Sequence, residues 1–169
     1  MIRAAQFLPV SAERFEADWR GAFPEAPVPP MPPMPRRATA GSAGYDFYAP
    51  ADCALRPGET LRIPTGVRCR IAEGWVLMLF PRSGLGFKYR LMLSNTVGVV
   101  DADYFGAKNE GHIFIKLVNA GDRPLALKRG EAFAQGVLLP FGLAEDDDAT
   151  EARVGGFGST DGGERSEEL

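Results

Sequence analysis

From Gly41 to Gly142 the chain is built of short apolar and β-branched runs, each closed within several residues by Gly, Pro, Asn or Asp. "TLRIPTGVRCRI", "WVLMLF", "YRLMLSNTVGVV", "HIFIKLVN" and "AFAQGVLLPF" show the pattern best. Runs this short suit strands that alternate side chains between two faces, and no helix-length period competes with them. The expectation is an all-β domain, a jelly-roll-like distorted β-barrel. A chain of 169 residues makes one domain of that kind, burying roughly 70% of its unfolded surface, and leaves no room for a second full one.

The flanks read differently. Ser11 can cap a helix, Val10 and Phe15 sit where a hydrophobic staple forms, and Phe15, Trp19 and Phe23 recur on one face. A short helix over Ser11 to Gly21 follows, docking an apolar edge on the barrel. "PEAPVPPMPPMPRR", residues 24–37, is too Pro-rich for helix or sheet ladder and predicts an extended polyproline connector, with a PxxP ligand as the functional alternative. Beyond Phe141 the chain is acidic and Gly-rich, which by itself reads as a disordered tail, yet Phe157 alone among glycines suggests a lid. The chain divides into residues 1–37 (strand, helix and connector), 38–143 (barrel) and 144–169 (C-terminal arm).

Charge narrows the partners. Lys plus Arg number 19 against 22 for Asp plus Glu, a net charge of -3, so neither a nucleic-acid groove nor an anionic-membrane surface is indicated, and any anion site must be local. No window approaches the run of about 18 apolar residues that a membrane span needs, and "MIRAAQFLPV" lacks a long apolar core; the expectation is a cytoplasmic protein. Two cysteines without C-x-x-C spacing and a single histidine argue against zinc and for free thiols.

Five stretches carry candidate chemistry. "PRSGLG" (81–86) follows an apolar strand with a turn whose backbone N–H groups, freed by glycine, can cradle an oxyanion beside the Ser83 hydroxyl and the Arg82 guanidinium. An ordinary turn is the alternative. "LMLSNTVGVVDADYFG" (91–106) predicts a hairpin or tight bend at Ser94, Asn95 and Thr96 that could read a small base, followed by Asp101, a candidate general base, unless the Asp pair only caps a strand end. In "AGSAGYDFYAP" (40–50), Asp46 lies in an apolar strand and must be satisfied by water, a donor or a metal. Gln135 interrupts the apolar strand in "GEAFAQG", and "RVGGFGST" (153–160) is a Gly-rich, phosphate-friendly sequence.

Taken in chain order, the five stretches resemble the five motifs of the trimeric deoxyuridine triphosphate nucleotidohydrolases, the dUTPases, over Gly41 to Thr160; "AGYDFYAP", "PRSGLG", "NTVGVVDADY" and "GGFGST" match most closely. The resemblance implies a homotrimer with shared active sites that cleaves dUTP to dUMP and pyrophosphate with Mg²⁺. By similarity, Asp101 activates the attacking water and Tyr104 lies against the deoxyribose. Asn95 and Gly98 belong to the uracil-reading hairpin. Arg82, Ser83 and Gly84 hold the phosphates, joined by Gln135 from an adjacent chain, and Asp46 orders the metal through water. Arg153, Phe157, Gly158, Ser159 and Thr160 close from the C-terminal arm.

Three departures stand out. The motif-five Arg usually lies five residues before the Phe; here Ala152 is there and Arg153 is one residue closer. The fourth motif has Ala132 or Phe133 where Arg is usual. "FGAKNEGH" after Tyr104 is longer than the usual turn and reads as a surface loop with a solvated His112. A dCTP deaminase-like relative and a trimeric nucleotide-gated protein-binding module are the alternatives; the N-terminal helix and the 106–112 loop are where a partner protein would dock.

Overall fold

The computed structural model describes residues 2–150. In chain order it runs β1 (Ala5–Pro9), α1 (Ala12–Ala22), β2 (Arg36–Arg37), β3 (Tyr45–Tyr48), β4 (Cys53–Leu55), β5 (Thr60–Pro64), β6 (Val67–Ile71) and β7 (Trp75–Pro81). Then follow α2 (Ser83–Tyr89), β8 (Leu91–Leu93), β9 (Gly98–Val100), a 3₁₀ turn (Ala102–Gly106), β10 (Phe114–Asn119), β11 (Leu125–Leu127) and β12 (Ala132–Pro140). All ladders are antiparallel: β1 with β6, β5-β10-β8, β11 with β4, and β2-β3-β12-β7-β9. This is the expected jelly-roll-like barrel, with several small sheets closing around one core.

The alternation read from the sequence is what fills that core. On β10, Ile115, Leu117 and Asn119 point inward while Lys116 points out, and Phe47, Leu77, Leu79 and Phe133 come in from the large sheet. Each such apolar side chain contributes roughly 1.5–3 kcal/mol by leaving water. A register shift in β12 between Ala132 and Ala134 inserts one extra residue against β3 and brings Gln135 opposite Asp46.

The N-terminal helix forms as its caps predict. Ser11 accepts from the Arg14 amide, and Val10, Phe15 and Trp19 form their own buried cluster. The Pro-rich connector ends in β2, whose Arg36 and Arg37 pair with β3.

Two expectations are corrected. "PRSGLG" is not a simple turn: Arg82 ends extended and Ser83 begins α2, with the Leu85 and Gly86 amides bonding to the Arg82 carbonyl. Helix-disfavouring Gly84 and Gly86 hid it, since each costs roughly 1 kcal/mol against Ala. Nor is His112 solvated. It is fully buried, with Nδ1 2.6 Å from Asp18 Oδ2 on α1 and Nε2 accepting from the Gly66 amide at 2.8 Å. Because Gly66 donates to Nε2, the proton sits on Nδ1 and is given to Asp18. The loop and the helix that looked like free docking surfaces therefore hold each other.

Candidate active site

Motifs one, two and four meet on the large sheet. β12 lies between β3 and β7, so Gln135 is level with Asp46 on one side and Phe80 on the other. Arg82, one residue past β7, reaches back with Nε 3.3 Å from Asp46 Oδ1, and Gln135 Nε2 donates to the Pro81 carbonyl at 3.3 Å. The donor that Asp46 requires is thus Arg82. A Cβ on Gly44 would lie 2.5 Å from Gln135 Oε1 and would push that amide aside. At Gly84, by contrast, a Cβ would meet nothing within 4 Å, so no neighbour among the described residues demands a glycine. Ser83 and Gly84 are exposed beside a cleft of about 240 Å³ lined by Pro81, Arg82, Ser83, Gly86 and Phe87.

The third motif is a bend between sheets. β8 pairs with β10 and β9 with β7, leaving a single Leu93–Thr96 bridge between its arms. Thr96 takes φ +65, strained for a β-branched residue, and its amide bonds to the Leu93 carbonyl. Gly98 allows the arms to close against β7, since a Cβ there would lie 3.0 Å from Leu79 Cβ. Asn95, Gly98, Ser94 and Leu93 line a cleft of about 480 Å³. Arg62, Phe114 and Lys116 complete it, with Arg62 stacked 4.2 Å over the Phe114 ring and level with Lys116. Sequence reasoning missed these three, because outward positions of half-buried strands carry no motif of their own.

Asp101 is exposed where β9 ends, and Tyr104 follows in the 3₁₀ turn, 2% exposed, its hydroxyl donating to the His112 carbonyl at 2.7 Å. Val100 lies opposite Leu77, so Asp101 leaves the sheet near the Trp75 end of β7 and Arg82 leaves at the other. Leu77 and Arg82 are five residues apart, which at about 3.4 Å each puts roughly 17 Å between the two ends. One chain brings Asp46, Arg82 and Gln135 together but keeps Asp101 away from them. Arg153, Phe157, Gly158, Ser159 and Thr160 lie outside the described residues.

Among the described residues no group of three His, Cys, Asp or Glu could hold a metal by itself, and no helix is long and apolar enough to cross a membrane. Magnesium, however, binds largely through phosphates and water with one or two carboxylates. Asp46, fixed by Arg82 and only 15% exposed at its side chain, fits that lesser role.

By its architecture and these groups the protein is a jelly-roll-like β-barrel that sets a guanidinium and a hydroxyl at the start of a helix, with a second cleft lined in part by Gly98. The family model for dUTPase matches residues 32–161. The deoxyuridine 5'-triphosphate nucleotidohydrolase of Lactococcus lactis is 42% identical over 127 residues, covering 73% of this chain and 85% of that protein. The Streptococcus mutans dUTPase structure superposes with a TM-score of 0.63 at 34% identity, over 85% of this chain and 99% of the other. A variant dUTPase of Staphylococcus aureus phage phi11, whose structure shows coordination of a structural Mg(II) ion, shares the fold at 23% identity, with a TM-score of 0.63 over 88% of this chain and 98% of the other. The chain belongs to the dUTPase family.

Proposed function

We propose that the protein hydrolyses dUTP to dUMP and pyrophosphate in a homotrimer whose active sites are each shared between chains. Keeping uracil out of DNA and supplying dUMP for thymidylate synthesis, in the cytoplasm, would be its service. The observation that carries the shared site is the roughly 17 Å between the Asp101 and Arg82 ends of the β7–β9 pair. A base must act on water aimed at the same triphosphate that the cation holds, so Asp101 of one copy works with Arg82, Ser83, Gly84 and Gln135 of another. Gly84, with no neighbour among the described residues to exclude a side chain, supports a surface kept open at the start of α2.

In this reading the uracil enters the cleft at Asn95 and Gly98, where close approach to Leu79 leaves little room for a methyl group. Tyr104, nearly covered and anchored through its hydroxyl, serves as a fixed floor whose remaining edge faces the sugar. Asp101 takes a proton from water as the bond between the α- and β-phosphates breaks. Arg82, the Ser83 hydroxyl and the first amides of α2 offset the charge that develops on the phosphates. Bound Mg²⁺, ordered through water by Asp46, would add Lewis-acid charge neutralisation. Arg153 and the Phe157–Thr160 stretch would cover the nucleotide.

The test is pyrophosphate release from dUTP, UTP, dTTP and dCTP, with and without Mg²⁺. Release from dUTP far above the other three, dependent on the metal, is expected. Comparable turnover of UTP or dTTP refutes the pocket assignment, and ammonia from dCTP points to the deaminase-like alternative.

A further inference from the structure

All of β1 and α1 precede the family match, which begins at residue 32, and yet α1 and its cap grip the segment that follows Asp101. Two contacts make the grip. Ser11 donates twice to Glu110, from N at 2.9 Å and from Oγ at 2.7 Å, and Asp18 accepts from His112 Nδ1 at 2.6 Å. The segment then passes the constraint to Tyr104: its hydroxyl donates to the His112 carbonyl at 2.7 Å and accepts from Asn109 Nδ2 at 2.7 Å. On the far side Arg68 Nη2 donates to the Phe105 carbonyl at 2.8 Å and its guanidinium lies 3.7 Å over the Phe105 ring.

The loop is held under strain. Glu110 takes φ +61 and Gly111 φ +69, and a Cβ on Gly111 would stand 2.7 Å from the Tyr104 carbonyl oxygen. A non-glycine residue in the left-handed region costs of order 1–3 kcal/mol and persists only where its surroundings over-determine it. The two Ser11 bonds to the Glu110 carboxylate supply that determination, so the helix and the strained turn are one device.

We propose that Asp18 and His112 are positioning residues for hydrolysis: α1, through Asp18 and His112, fixes Tyr104 and with it the direction of Asp101. The proposal rests on the assignment of Asp101 as base. A displacement of about 1 Å at a reacting group can cost up to about a hundredfold in rate, so a helix remote from substrate has leverage on turnover without touching the nucleotide.

The experiment is a double-mutant cycle on the full chain, Asp18→Ala against Tyr104→Phe, with kcat and KM for dUTP measured in each. Asp18→Ala should lower kcat by about three- to tenfold with KM changed less than about twofold, and Asp18→Asn, whose carbonyl still accepts from Nδ1, should restore most of it. In the Tyr104→Phe background Asp18→Ala should cost little more, because coupled sites are non-additive. Unchanged kcat in Asp18→Ala, or the same factor lost in both backgrounds, overturns the proposal. If Asp18→Ala does not fold, Glu110→Gln, which loosens the other contact, replaces it in the cycle and is judged by the same outcomes. Asp101→Asn is assayed in parallel. Retained turnover there refutes Asp101 as base, while the coupling between Asp18 and Tyr104 is still decided by the cycle.

Discussion

His112 should make the fold acid-sensitive just below neutral pH. It is the single histidine of the chain. Burial holds its pKa below the usual 6.5, outweighing the upward pull of the Asp18 hydrogen bond and charge; Arg14 lowers it further and Glu110 opposes. Its Nε2 cannot be protonated without turning the acceptor for Gly66 N–H into a donor facing a donor. The unfolded chain therefore binds a proton below about pH 6.5 that the native one refuses, and stability falls as pH drops. The proton uptake of the unfolded imidazole sets the ceiling on the loss between pH 7.5 and 5.5, about 1.4 kcal/mol, the free energy of one pKa unit. Urea unfolding at fixed protein concentration, at both pH values, measures it as a drop in midpoint at constant slope. The change should vanish in His112→Gln, and the lone imidazole should titrate below 6.5 by NMR. Equal stability at both pH values, or an imidazole titrating at 6.5, refutes the argument.

Asp101→Asn should fold and bind nucleotide yet lose most turnover, read by calorimetric titration beside steady-state kinetics. Gly98→Ala should cost about 1–3 kcal/mol as Leu79 yields to the new Cβ, and should raise KM for dUTP; an unchanged denaturation midpoint would show that β9 relaxes freely. Deleting residues 151–169 should leave the proposed trimer intact by sedimentation while turnover drops sharply, and failure to assemble would make the arm structural instead.

How much was legible can be judged residue by residue. The cap at Ser11, the staple of Val10 and Phe15, and the bend at Asn95 were readable because each depends on neighbours a few residues away. α2 was not, since its two glycines oppose helix and only its place after β7 overrides them. His112 looked like part of an exposed polar loop; no local signal tells that Asp18, 94 positions earlier, is its partner. Likewise Asp46 announced a need for a donor, but only the pairing of β3, β12 and β7 names Arg82 as that donor.

By itself, then, the sequence determined an all-β chain, its family, and the residue types that can hold phosphate, read a base and activate water. The all-β class follows from turn chemistry and period-two burial, which act over a few residues, and the family from the resemblance of the motifs in their order. The tertiary structure alone decided which of those residues meet in one chain and which stand roughly 17 Å apart. Strand register is settled by how the whole set of apolar faces closes on a common core, and no single segment contains that information.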